Sequence, residues 1–174
     1  MEDETGFSLV SALKRTWAPR GQTPTVRTSL HHHERLNLMG GLRVSPGRRV
    51  VKLMVQARLQ SVRGEQVIAW LGGLLGRVRG PIVLVWDHHP IHLRKIVQAF
   101  IAQHSRLHVY EFPTGAPELN PAEWIWQQLN DLLASTAPHN QAELQTNIRA
   151  AIARIRRSPW RLWAGFTGAK LPLS

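Results

Sequence analysis

"PIVLVWDHHPIHLRKIVQAFIAQH" (81–104) is the stretch from which the fold is read. It opens on an unbroken apolar run rich in β-branched residues and closes that run on an acid, Asp87. Such a run suits a strand buried on both faces of a sheet. Residues 91–104 then carry apolar side chains at 93, 96, 97, 100 and 101, the spacing of an amphipathic helix. "RLHVYEF" (106–112) reads as the next strand. Strand, helix, strand in this order predicts a parallel crossover.

Working outward, 64–78 shows helical spacing at 67, 68, 71, 74, 75 and 78, weakened by its glycines. Upstream, "SPGRR" (45–49) marks a hairpin turn between strand-like segments, with "VVKLMVQARL" (50–59) as the return strand. "MEDETGFSLV" (1–10) reads as the tail of a strand that turns at Gly6. Downstream, Asn120 is an N-cap, Pro121 suits the first helical position, and Glu123 sits at the third, predicting a helix to about 134. A last helix is expected over 139–157, followed by an irregular or short-helical tail. The order predicts a mixed α/β fold, antiparallel first and parallel after. It divides into a domain over 1–158 and a tail over 159–174.

The 174 residues suffice for one domain with a core, and 43% are hydrophobic. No apolar run approaches the roughly 20 residues of a membrane span, and the acidic start does not resemble a signal peptide. Cysteine is absent, which excludes disulfides and thiolate metal sites. A cytoplasmic, nucleoid-associated location is the expectation.

Twenty-two Lys and Arg against 11 acids give a net charge of +11, and 18 of the bases are Arg. Arg presents a planar fork of donors suited to phosphate, so the balance points to nucleic acid. A genome that codes Arg in place of Lys would give the same composition. Arg149, Arg154, Arg156, Arg157 and Arg161 are read as phosphate contacts or as a solvated helix face.

Only three Asp occur, at 3, 87 and 131. Asp3 and Asp87 both follow apparent strands, and ligands of open α/β sheets bind beyond strand carboxyl ends. With Glu123 they form three carboxylates from distant parts of the chain, a donor set for hard cations such as Mg²⁺. Read locally, Glu123 is equally the glutamate of an Asn-x-x-Glu capping box. Asp87 could cap the segment after it, and Asp3 could be a solvated terminal acid. Trp124 and Trp126 lie two apart on a helix, so at least one should enter the core. The triple His31–His33 would alternate faces on a strand and cannot supply three ligands.

Four strings make the chain resemble a DDE-type transposase of bacterial insertion sequences, in the mariner-like superfamily. "DETGFSL" (3–9) is similar to that family's first-Asp motif, and "RTWAPRGQTP" (15–24) to its Trp-Pro-Gly hairpin. "VLVWDHHPIH" (83–92) resembles the second-Asp strand with His92 at the histidine position, although the family usually has Asn or a small residue after the Asp. "PELNPAEWIWQQLN" (117–130) resembles the Asn-Pro-x-Glu motif. Thirty-five residues separate Asp87 from Glu123, within the family's range.

The resemblance implies a ribonuclease-H-like mixed sheet flanked by helices, with the first strand truncated. It implies a metal-binding catalytic triad of Asp3, Asp87 and Glu123 holding two Mg²⁺ or Mn²⁺ ions. It implies DNA strand cleavage and transfer of the freed 3′-hydroxyl during transposition. His92 and Asn120 would stand behind the ligands, and Arg15, Arg20, Arg149, Arg154, Arg156 and Arg157 would meet DNA. The implied partners are transposon ends and target DNA, an upstream helix-turn-helix half, and a second copy in a homodimer. Two other readings are a fragment that only binds DNA and a general ribonuclease-H-like nuclease.

Overall fold

The computed structural model describes residues 1–9, 18–22, 25, 35–47, 50–59, 61–134 and 136–171. Arg15, half of the Trp-Pro-Gly string and the histidine triple fall outside these residues. Three strands come first: β1 (Glu2–Ser8), β2 (Arg35–Val44) and β3 (Val51–Arg58). They form an antiparallel sheet in chain order. Helix α1 (Gly64–Arg77) leads to β4 (Ile82–Trp86), and α2 (Lys95–Ala102) leads to β5 (Leu107–Glu111). β4 and β5 pair in parallel, as the crossover pattern predicts. Among the described residues three more helices follow: α3 (Pro121–Leu133), α4 (Gln141–Arg156) and α5 (Pro159–Gly168). No helix among the described residues is long and apolar enough to cross a membrane.

β1 departs from the sequence reading. It runs straight through Gly6 and pairs residue by residue from Glu2 opposite Gly41 to Ser8 opposite Arg35. Asp3 is therefore the second residue of a seven-residue strand and not at a strand end. The expected turn at Gly6 treated glycine as a breaker, but a seven-residue ladder outweighs one poor strand former. The start of β1 is held by the Met1 ammonium donating to the Leu42 carbonyl at 3.0 Å and by Leu42 N–H donating to the Met1 carbonyl at 2.9 Å. Gly41 is required beside this crossing, since a Cβ there would collide with the Met1 carbonyl oxygen.

β4 is also less enclosed than its apolar run suggests. Ile82, Leu84 and Trp86 are buried, but Val83 on the other face is 65% exposed. The following helix begins at Lys95, after turns over 90–94, and not at 91. His92 N–H donating to the His89 carbonyl at 2.9 Å closes one of those turns.

The core has two parts. One, against β2 and β3, gathers Leu38, Ile125, Leu129, Ile148, Ile155 and Phe166. The other lies between α1 and β4 and includes Trp70, Leu71, Leu84, Trp86 and Val97. Trp126 enters the first part at 3% exposure while Trp124 remains 38% exposed, as their two-residue separation on a helix requires. Residues 159–168, read from sequence as part of an irregular or short-helical tail, form a full helix whose Leu162 and Phe166 are buried. α5 packs closely on α3: a Cβ on Gly165 would lie 2.7 Å from the Pro121 carbonyl oxygen. Glycine there lets the two backbones approach at the first turn of α3.

Phe166→Ala should therefore destabilise the whole unit by about 3–5 kcal/mol, the usual range for a buried aromatic. Urea denaturation checks this, and a peripheral helix would show a loss near zero.

Candidate active site

The three acids reach one place by three different local routes. Asp3 is carried on β1, Asp87 follows the last residue of β4, and Glu123 stands in the first turn of α3. All three line a single cavity of about 320 Å³, walled on the remaining side by the 112–117 loop. Asp3 and Asp87 also line an adjoining cleft of about 290 Å³ that extends past Thr5 and Asn37. Asp3 is buried, Asp87 is half-buried and Glu123 is exposed, so the site deepens from α3 toward β1.

The capping question at Glu123 has a geometric answer. Asn120 Oδ1 accepts from Ala122 N–H at 3.1 Å, so the cap is made by Asn120. The N–H of Asn120 donates to the Pro117 carbonyl at 2.9 Å, within the 3-10 turn Pro117–Leu119. That bond occupies the amide a capping-box glutamate would take. Glu123 is left facing the cavity, at the helix end where backbone N–H groups favour negative charge.

Electrostatics separate the three carboxyls. Burial pushes the Asp3 carboxyl up to about 8, helped by the Glu123, Glu4 and Asp87 charges and opposed by the Glu4 N–H. That N–H donates to Asp3 Oδ1 at 2.9 Å. Asp3 Oδ2 is buried with no hydrogen-bond partner. Glu123 is raised by burial and then by the Asp87 charge. Asp87 is lowered, chiefly by the hydrogen bond from His92 and also by His89 N–H at 3.1 Å from Oδ1. Three oxygen donors around one cavity, one of them buried and unsatisfied, suit Mg²⁺ or Mn²⁺.

Two carboxylates that read from sequence as exposed neighbours of Asp3 lie directly behind it, Glu2 fully buried and Glu4 partly so. Glu2 and Glu4 alternate with Asp3 along β1 and meet His92 on the opposite face of the strand. Among the described residues, the group whose potential ligand atoms all lie within 4.8 Å of one another is Glu2, Glu4 and His92. The only local hint was Glu-x-Glu around Asp3, since the histidine that completes the group is 88 positions from Glu4. Burial alone would lower His92, but hydrogen bonds to Asp87 and Glu4 and the Glu2 charge raise it to about 10. Glu2 is raised by burial first and then by the Glu4 charge.

The arginines expected at DNA fall elsewhere. Arg149, Arg156 and Arg157 line a groove of about 650 Å³ between α4 and the β2–β3 sheet, which shares no lining residue with the triad cavity. Arg156 Nε donates to the Leu53 carbonyl at 3.1 Å, which gives that side chain a packing role. Arg20 and Arg154 are exposed.

The Asp3 shift has a definite sign. The folded chain keeps a proton that the unfolded chain releases near 3.8. The stabilisation is complete below that value and is lost as pH rises toward about 8. In EDTA, the melting temperature of Asp3→Asn relative to the parent should climb between pH 4 and pH 8. Parallel melting curves across that range would contradict the burial of this carboxyl.

The comparisons with known proteins bear on the family and the fold. Residues 1–145 match the family model described as DDE superfamily endonuclease. The chain is 24% identical over 150 residues to the Transposable element Tc1 transposase of Caenorhabditis elegans, covering 79% of this chain and 52% of that protein. The fold matches the Mos1 transposase paired-end complex with left transposon end at a TM-score of 0.71 and 16% identity, over 97% of this chain and 51% of that one. It also matches the Mos1 mariner paired end complex with Mn at 0.68 and 18% identity, over 98% and 51%. The chain thus spans about half the length of the relatives it matches. The fold is the ribonuclease-H-like one of these structures, and the chain belongs to the DDE superfamily endonuclease family.

Proposed function

We propose that this domain cleaves DNA strands and joins the freed 3′-hydroxyl to target DNA during transposition, with Asp3, Asp87 and Glu123 holding two Mg²⁺ or Mn²⁺ ions. The observation that carries the reading is the convergence of these three acids on one cavity, with Asp3 Oδ2 buried and unpaired. Divalent cations there would supply an activated water and stabilise the leaving oxygen of a phosphodiester.

The chain's own residues have distinct tasks in this reading. Asp87, kept ionised by its hydrogen bonds, is the ligand that is ready at neutral pH. Asp3, buried with Oδ2 unpaired, would hold a cation as a carboxylate at the deep end of the cavity. Glu123 is placed by the Asn120 cap and stands at the open side, where a DNA strand can enter. The net charge of +11 supports a polyanionic partner, with phosphates met by the α4 groove through Arg149 and Arg157. The Mos1 structures include a paired-end complex with a transposon end and a strand transfer complex. By analogy we assign transposon ends and target as substrates, a second copy in the active assembly, and a separate end-recognition region such as a helix-turn-helix.

Nicking of DNA carrying the element's terminal repeats, in Mn²⁺ or Mg²⁺ and with the end-recognition region supplied, tests the proposal. Asp87→Ala and Glu123→Gln should each reduce nicking to background while leaving DNA retention intact. Full activity in Asp87→Ala would refute it. Activity indifferent to the terminal sequence would favour a general nuclease, and binding without any nicking would favour a DNA-binding remnant. Separately, Arg149→Ala with Arg157→Ala should flatten the log–log salt dependence of DNA affinity by about 2, close to one unit per lost phosphate contact. An unchanged slope would place DNA elsewhere.

A further inference from the structure

We propose that His92 is a positioning residue that clasps β1 to the end of β4 through Glu2, Glu4 and Asp87, and so sets where Asp3 and Asp87 stand relative to each other. The proposal rests on the reading of Asp3 and Asp87 as metal ligands. Its origin is a gap in the backbone pairing. β1 belongs to the antiparallel sheet and β4 to the parallel pair, and among the described residues no ladder joins the two. The two aspartates are carried on those two separate units, so something other than a β-ladder must hold them in register.

His92 spans the gap. Its ring is fully buried and stacks on Trp86, the last residue of β4, with centroids 4.0 Å apart and planes 4° apart. Nδ1 lies 3.1 Å from the Asp87 carbonyl oxygen and 3.2 Å from Asp87 Oδ1. Nε2 lies 3.3 Å from Glu4 Oε1 and 3.5 Å from Glu2 Oε2. Every partner is an oxygen acceptor, so the ring serves as a donor on both edges. The histidine backbone is fixed as well, its carbonyl accepting from Gln98 Nε2 at 2.9 Å.

The strand period makes the clasp act on Asp3. Glu2 and Glu4 point to one face of β1 and Asp3 to the other. Gripping its two neighbours from behind fixes the backbone that aims Asp3 into the cavity. On the other side, the contacts from His92 and His89 both fall on Asp87 Oδ1, which leaves Oδ2 as the oxygen available to a cation. Groups that orient ligating carboxylates typically contribute 10–100-fold to metal affinity.

Asparagine and glutamine separate the two edges of the ring. Asn can replace the Nδ1 donor toward Asp87, and Gln the Nε2 donor toward β1. Mn²⁺ titration calorimetry on the intact protein, at a temperature where circular dichroism shows each variant folded, is the measurement. His92→Asn should lose about 10–100-fold in Mn²⁺ affinity although it keeps the Asp87 bond, because the link to β1 is broken. Glu4→Gln, at a partly exposed position, should weaken Mn²⁺ binding in the parent and have little further effect in the His92→Asn background. Parent-like affinity in His92→Asn, or additive losses in the double variant, would overturn the clasp. If His92→Asn fails to fold, the comparison of Glu4→Gln with and without His92→Gln decides the same question. Asp87→Ala is the control. Lost binding there alongside unaffected His92 variants sinks only the clasp. Parent-like binding in Asp87→Ala removes the metal centre on which the clasp rests.

Discussion

Mutual repulsion among carboxylates is the constraint around which this structure is organised. Asp3, Asp87 and Glu123 share one cavity, and Glu2 and Glu4 stand immediately behind Asp3. In a flexible chain five acids would separate, since like charges at short range raise one another's proton affinity and favour open conformations. Here the acids sit on a strand, at a strand end and on a capped helix, none of which can swing away. The result is an uneven set of carboxyls, with Asp3 and Glu123 raised and Asp87 lowered. His92 is the cation that makes the arrangement tolerable, because its ring contacts three of the five acids.

The supporting elements can be followed outward from that cluster. β1 is aligned by seven pairings with β2, and Gly41 permits the close crossing at its start. α3 is pinned at its first turn twice, by the Asn120 cap and by α5, whose Gly165 lies against the Pro121 carbonyl. The residues 159–168 therefore support the helix that presents Glu123. Charge is partitioned in the same way: a basic chain keeps an acidic cavity, and the Arg-lined groove of α4 occupies a separate surface. In the proposed function, such a separation would let a polyanion be held at one place and approached by the carboxylates at another.

Parts of this were legible in the residues alone. The apolar run ending at Asp87 did become a parallel strand with its acid just beyond it, and Asn120–Pro121 did start a helix with Glu123 in the first turn. These are local rules, in which each residue's neighbours in sequence are its neighbours in space. The failures occurred where pairing partners are remote. Gly6 reads as a turn until β2 is laid beside it, Val83 reads as buried until one face of β4 is seen to be open, and α2 starts four residues late because turns over 90–94 shape His92 instead.

The sequence by itself determined the order of elements, the position of Asp87 just beyond a strand and of Glu123 in the first turn of a helix, and a surplus of arginine. Hydrophobic period, capping chemistry and charge are properties of short segments, so they survive without a fold. Only the tertiary structure decided that Glu123 is released from its own helix cap, that Glu2 and Glu4 close on a histidine 88 and more positions away, and that the last helix belongs to the core. Those outcomes depend on which distant groups are brought within a few ångströms, where hydrogen bonding and burial reset the chemistry of each side chain.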